Sequence, residues 1–196
     1  MAQKQIAIFA SGSGSNAENL INYFRQSKMA DVGLILSNKI SAYVLMRAKN
    51  LSIPSIVVSN SNLKNQPESI LDVLAQFNID YIVLAGFLRK IPKELIKAYP
   101  NKIINIHPAL LPKFGGKGMY GANVHKAVKQ ANQTQSGISI HLVNQAYDEG
   151  QIIFQAKTNL TTTDTAKTIE KKVRALEIKH FPIQVENYIK QHNNLT

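Results

Sequence analysis

Cysteine is missing from this 196-residue chain. Its absence excludes disulfides, thiol nucleophiles and thiolate metal sites, and it fits a protein of the reducing cytoplasm. No apolar run approaches the ~20 residues needed to cross a bilayer. The N-terminal MAQKQIAIFA gives way at once to turn residues rather than to a signal-peptide cleavage site. No membrane partner is therefore expected. Acidic residues are few, 12 against 23 Lys and Arg, which leaves a formal net charge of +11. Such a charge suits nucleic acid, or small phosphorylated and polycarboxylate substrates drawn in by the overall field. Aromatic residues are only 7% of the chain, and no helix-turn-helix, RNA-recognition or zinc pattern accompanies the charge. Small-molecule substrates are therefore favoured over nucleic acid. The densest basic group is Lys167, Lys171, Lys172, Arg174 and Lys179, on one apparent helix. It reads as a solvated face, part of which could meet a phosphate. Repeats, low-complexity stretches and interdomain linkers are also missing.

What is present is an alternation of short apolar runs and amphipathic stretches, in a chain that is 44% hydrophobic and of single-domain length. Strands are predicted at Gln5–Ala10, Val32–Leu36, Ser55–Val58, Tyr81–Ala85 and Lys102–Asn105. Helical spacing of apolar residues marks Asn16–Lys28, Ser41–Asn50, Gln66–Phe77 and Pro92–Tyr99. This βαβα order implies a mostly parallel sheet with helices on both faces. The second half is less regular. Pro108–Gly121 reads as a long loop, and loops of that length in compact domains are usually functional or mobile. A helix follows at Asn123–Gln130, then an antiparallel strand pair at Gly137–Val143 and Ile152–Leu160. Thr163–Asp164 is expected to cap a helix over Thr165–His180, with Pro182 breaking or kinking it before a last turn at Val185–Gln191.

The turn Ser11-Gly12-Ser13-Gly14-Ser15-Asn16 between the first strand and helix suits an anion. Glycines let the backbone approach closely, and the helix N-terminus presents free N–H groups and a positive dipole end. Ser15 or Asn16 is expected to cap that helix; an ordinary capped turn is the plain alternative. No lysine follows Gly14, so this is not a Walker loop. No carboxylate ends the second strand (Leu36-Ser37-Asn38-Lys39), so a dinucleotide ribose is poorly served. A site for a single phosphate remains.

Asn105-Ile106-His107-Pro108 ends another strand. Asn105 and His107 share strand parity, so their side chains point the same way, and together they can donate to one developing oxyanion. A packing histidine is the alternative for His107, and a simple turn residue for Asp148 in Tyr147-Asp148-Glu149-Gly150. The remaining histidines show no metal-ligand spacing, and no metal is expected.

Taken together, five segments resemble the folate-dependent formyltransferases, and within them the group that acts on glycinamide ribonucleotide. They are SGSGSN, VLAGFLRKI at 83–91, NIHPALLPKFGG at 105–116, SGISIHLVNQAYDEGQIIFQ at 136–155 and RALE at 174–177. The likeness covers essentially the whole chain. It implies an α/β, Rossmann-like formyltransferase fold, a mostly parallel twisted sheet with helices on both faces and an antiparallel C-terminal strand pair. One domain is implied, with residues 1–100 as a phosphate-binding βαβ half and residues 101–196 as a catalytic and folate-binding half. The implied reaction moves the formyl group of 10-formyltetrahydrofolate, a co-substrate, to the amine of glycinamide ribonucleotide in purine synthesis. It is expected in the cytoplasm, carried out by a monomer or homodimer.

The resemblance also implies roles by position. Asn105, His107 and Asp148 would be catalytic, with Asp148 raising the His107 pKa and relaying a proton. Gly14, Ser15 and Asn16 would hold the phosphate end of the ribonucleotide, and Arg174, Ala175, Leu176 and Glu177 its ribose side. Leu88, Arg89, Lys90 and Ile91 would border the folate, as would Asn105 and the loop Asn144, Gln145, Ala146, Tyr147 and Asp148. Lys64 stands near a basic folate contact of the family. The segment FGGKGMYGANVH at 114–125 is longer than in many relatives and sets Lys117, Met119 and Tyr120 beside the proposed site. Ala109 stands where serine is common, and the Leu111–Pro112 bond is expected to be cis. Relatives that formylate tRNA carry a further C-terminal domain, and deformylases a further N-terminal one. Neither is visible in this sequence, which favours the small-substrate transferase over both.

Overall fold

The computed structural model describes residues 3–193. Its elements run β1 (Lys4–Phe9), α1 (Ser15–Phe24), β2 (Ala30–Ser37), α2 (Tyr43–Asn50), β3 (Ser55–Val57), α3 (Asn60–Asn65) and α4 (Pro67–Gln76). They continue β4 (Tyr81–Leu84), α5 (Lys93–Ala98), β5 (Ile103–His107), α6 (Ala122–Gln130), β6 (Gln135–Leu142), β7 (Ile152–Asn159) and α7 (Ala166–Asn193). Seven strands form one sheet in the order β3-β2-β1-β4-β5-β6-β7. The pairs from β3 to β5 are parallel, and β5–β6 and β6–β7 are antiparallel. The expected architecture is therefore the observed one.

Strand alternation explains the two cores. Ile6 and Ile8 of β1, with Ala10 just beyond it, enter one cluster with α1, α2, α6 and α7, while Ala7 and Phe9 enter a second with α3, α4 and α5. A strand covered on both faces reads as a continuous apolar run, which is why QIAIFA shows no polar alternation. Helix α1 buries Ala17, Leu20, Ile21 and Phe24 on one face. Each large side chain so buried contributes about 1.5–3 kcal/mol. That outweighs the ~1 kcal/mol a side-chain cap would add, and α1 has no such cap. Neither Ser15 nor Asn16 takes the capping position; Gly14 does, in the left-handed region at φ 75°.

Three further departures have local causes. Helix α7 does not break at Pro182 but runs through it. Proline removes the N–H that would bond the Ile178 carbonyl, and the Asn19 side chain of α1 supplies a replacement donor to that oxygen at 2.9 Å. Buried Phe181, Val185, Tyr188 and Ile189 then hold the far segment to the sheet. The cap of α7 lies one residue beyond Asp164. Thr165 and Thr168 exchange backbone-to-hydroxyl bonds, and Asp164 braces them from Thr161, Thr168 and Lys172. Helix α3, unforeseen from periodicity, is a short turn capped by Ser59, whose hydroxyl accepts from Asn62 N. No helix among the described residues is long and apolar enough to cross a membrane.

Candidate functional site

Strand order reverses between β1 and β4, and ligands in such sheets bind beyond the carboxyl ends of the strands at that crevice. A cavity of about 500 Å³ opens there, between the loops after β1, β4 and β5 and the inner face of α7. The loops are stitched together beneath it. Ser11 N donates to Gly86 O at 3.0 Å. The Ser11 hydroxyl accepts from Leu88 N at 2.9 Å and donates to Asn38 Oδ1 at 2.6 Å. The second strand thus ends on a buried amide that braces the loop, where a dinucleotide site would need a carboxylate.

At one end of the cavity lie Gly14, Ser15 and Asn16. A Cβ on Gly14 would come within 2.5 Å of Val44 Cγ2 and 2.8 Å of Val44 Cα, so α2 packs against the loop only because this residue is glycine. Asn16 Nδ2 donates to Glu177 Oε2 at 2.9 Å, joining α1 to α7. Asn16 Oδ1 is buried with no partner among the described residues. Burial raises the Glu177 carboxyl above its ordinary value, against the opposing effects of Asn16 and Arg174. Both groups are thus held ready for polar ligand atoms.

At the centre, Asn105 and His107 project from one face of β5, as parity requires. The cross-strand partner of Asn105 is His141, and that of His107 is Ser139. Asn105 Nδ2 lies 3.0 Å from His141 Nε2, and His141 Nδ1 lies 2.8 Å from Leu142 O. A carbonyl only accepts, so His141 Nδ1 carries the hydrogen and Nε2 accepts from the amide. The His107 ring is fixed likewise, with Nε2–H donating to Phe114 O at 2.8 Å. Its Nδ1 is 3.7 Å from Asp148 Oδ2, close enough for charge attraction and too long for a hydrogen bond. Asp148 Oδ1 stands 3.6 Å from His141 Nε2, and Oδ2 accepts from Gly116 N at 2.9 Å. Ser139, fully buried, donates to Ala109 O and accepts from Leu111 N, which clamps the NIHPALL segment onto β6. The Leu111–Pro112 bond is cis.

Asp148 acts on His107 with the expected sign, but burial outweighs it. Burial pushes His107 below its ordinary value; the Asp148 carboxylate and the Phe114 carbonyl pull upward but do not prevail. His107 therefore rests neutral at pH 7, where Asp148 alone would have raised it. Burial would raise the Asp148 carboxyl, yet His141, Gly116 N–H and His107 more than offset it, and it lies below the ordinary range. Asp148 is ionised.

The loop after β5 is cross-tied to this centre through Phe114 O and Gly116 N. Phe114 and Asp148 both have positive φ, 58° and 56°. Gly115 packs so closely that an added Cβ would lie 2.6 Å from Leu111 Cδ2 and 3.2 Å from Asp148 Cβ. Lys117, Met119 and Tyr120 line the cavity, as their position beside the proposed site suggested. At the far end, Leu88–Ile91 and the loop carrying Asn144, Ala146, Tyr147 and Asp148 form facing walls, and Lys90 Nζ sits 5.5 Å from the Tyr147 ring centroid.

Four expected contacts are not brought to the cavity. Lys64 is exposed in the last turn of α3, and Gln145 is exposed outside the wall. Ala175 and Leu176 are turned off the face that carries Arg174 and Glu177. Residues three apart on a helix share a face and the two between do not, and Leu176 packs instead on the core. Sequence reading missed His141 and the backbone groups of Phe114 and Gly116. The available signal was alternation along β6, which gives Ser139 and His141 a common face; the β5 residues they meet depend on the strand register. Among the described residues, no three His, Asp or Glu side chains are placed to hold a metal ion.

Fold and cavity together define a doubly wound α/β enzyme domain with its ligand site at the switch point of the sheet. Residues 4–185 match the profile of the formyl transferase family. A phosphoribosylglycinamide formyltransferase of Bacillus subtilis is 34% identical over 194 residues, spanning 97% of each chain. A chloroplastic phosphoribosylglycinamide formyltransferase of Arabidopsis thaliana is 39% identical over 184 residues; they are 91% of this chain and 63% of that longer one. The crystal structure of phosphoribosylglycinamide formyltransferase from Bacillus halodurans superposes with a TM-score of 0.87 at 32% identity, over 98% of both chains. The chain belongs to the formyl transferase family.

Proposed function

We propose that this chain transfers the formyl group of 10-formyltetrahydrofolate to the amine of glycinamide ribonucleotide, yielding the formylated ribonucleotide and tetrahydrofolate. The observation that carries the reading is the meeting of Asn105, His107 and Asp148 in one cavity whose other end is the Gly14–Asn16 loop and Glu177. The names of the relatives above support it. The same proposal sets the reaction in the cytoplasm.

The ribonucleotide phosphate would lie on the N–H groups of Ser15 and Asn16, at the positive end of α1. Asn16 Oδ1 and the Glu177 carboxylate would accept from ribose hydroxyls. The folate would lie between Leu88–Ile91 and Asn144–Asp148, its carboxylates toward Arg89 and Lys90. Both substrates are anions, and a net charge of +11 raises their local concentration.

The amine nitrogen attacks the formyl carbon, and the C=O electron pair moves to oxygen. One hydrogen of the Asn105 amide is held by His141 Nε2, which leaves the other for this oxyanion. The second donor is His107 Nδ1, once protonated, since Nε2–H is committed to Phe114 O. Asp148 stabilises the imidazolium and relays the proton from the attacking nitrogen, through water, to the folate nitrogen as its bond to the formyl carbon breaks. An assay with both substrates, following formylated ribonucleotide and tetrahydrofolate, tests the reading. Asn105→Ala and His107→Ala should each lose about 10²–10³ in turnover while keeping the fold. Near-normal turnover in both sinks the assignment, and formyl loss that is independent of the ribonucleotide shows a hydrolase instead.

A further inference from the structure

We infer that His125 contacts the acceptor substrate, reading the polar stretch between its phosphoribosyl end and its reacting amine. This rests on the function proposed above. His125 lies in the first turn of α6, 4% exposed, on the wall of the cavity. Its Nδ1 is buried and meets no hydrogen-bond partner among the described residues. A buried polar atom without a partner costs folding free energy, so packing alone gives no reason for a histidine here; an aliphatic side chain would fill the space without that cost.

The neighbours of the ring show which part of a ligand it would meet. Two charged or titratable groups bear on it: Glu170 of α7, which favours its protonated form, and His107 of β5, which opposes it. Glu170 and Glu177 lie two turns apart on one face of α7 and both line the cavity. His125 therefore lies beside the catalytic centre, at the Glu170 end of the α7 face whose Glu177 holds Asn16. A ribonucleotide with its phosphate at α1 and its amine at Asn105 and His107 would share this cavity wall with His125. The polar atoms it presents there are the glycinamide N–H and C=O and the ribose oxygens. Burial holds the ring below its ordinary value despite Glu170, so it is neutral at pH 7. A neutral imidazole offers one donor and one acceptor, the complement of an amide.

Nothing in the reaction requires the ring to take up or release a proton. It is a binding contact for the acceptor, so its loss should separate the two substrates. His125→Leu removes both nitrogens and keeps apolar bulk. Steady-state kinetics with each substrate varied should show the KM for the ribonucleotide raised about three- to tenfold, the worth of one neutral hydrogen bond. The KM for the formyl donor should move less than twofold. Without ligands, the variant should melt no lower than the unmodified protein, because an unpaired polar atom has gone. Calorimetry with glycinamide ribonucleotide alone provides a second comparison that does not depend on how leucine packs: His125→Gln should bind more tightly than His125→Ala. Equal affinity in those two variants, an unchanged ribonucleotide KM in His125→Leu, or equal rises in both KM values overturns the inference. No transfer by the unmodified protein overturns the proposed function and this inference together. Transfer with intact ribonucleotide binding in the variants overturns this inference alone.

Discussion

Asp148→Asn keeps the shape of the side chain and an oxygen for Gly116 N–H, and removes one negative charge beside two imidazoles. At the 3.7 Å that separates Asp148 Oδ2 from His107 Nδ1, unit charges attract by about 1 kcal/mol in water and about 4–5 kcal/mol at an effective dielectric near 20. The side chains are 13% and 4% exposed, so the real value falls between these limits. At about 1.4 kcal/mol per factor of ten, that attraction is worth about 10- to 10³-fold in the population of the imidazolium. His107 already lies below its ordinary value through burial, and losing Asp148 moves it lower still. A smaller fraction then carries the Nδ1 proton, and turnover at pH 7 should fall about 10- to 10³-fold. The sign of the pH dependence follows: the ratio of variant to unmodified turnover should rise as pH is lowered toward the depressed His107 pKa. The ratio is the proper readout, because protonation of the substrate amine slows both enzymes alike. The decisive assay is a double-mutant cycle with His107→Gln, with both turnover and circular dichroism followed. Should Asp148→Asn cost as much in the His107→Gln background as alone, Asp148 does not act through His107 and the reasoning fails.

Three other perturbations have definite signs. The Asp164 carboxyl is held far below its ordinary range by Lys172, Thr161 N–H and Thr168. Its contribution to stability is present above the unfolded value of about 3.9 and is lost as pH falls toward the folded value. Asp164→Asn should lower the urea midpoint at pH 7, with the gap closing well below pH 4, and a constant gap would contradict this. Gly14→Ala must place a Cβ against Val44 at a positive φ, which costs about 1–2 kcal/mol in backbone strain and more in packing. Its melting temperature and ribonucleotide affinity should both drop. Gly12→Ala, with nothing within 4 Å of the new carbon, serves as the stability control, and equal melting of the two variants would count against a packing constraint at Gly14. Glu177 has a raised folded value through burial, so its ionised form disfavours folding as pH rises past the unfolded value. Glu177→Gln should melt higher at pH 7 in the empty protein and bind the ribonucleotide more weakly. A lower melting temperature would show that the Asn16 bond outweighs burial.

Patterns within one element were legible in the chain itself. Buried parallel strands show as short apolar runs, the phosphate turn shows as glycine and serine between strand and helix, and Asn105 and His107 share a strand, so their common direction follows from the two-residue period. Those features depend on neighbours in sequence. Asp148 entered only through the resemblance of whole segments, since a turn aspartate carries no sign of what it will face. Only the tertiary structure decided the rest. It set His141 against Asn105 across β5 and β6, bound His107 Nε2 to Phe114 and left Nδ1 for chemistry. It rescued α7 from Pro182 with a side chain from α1, and turned Ala175, Leu176, Gln145 and Lys64 away from the cavity. It also set the net shift of His107 downward. The charge beside the ring has the sign the sequence suggested, but burial depends on every element packed around it, and that sum exists only in the folded chain.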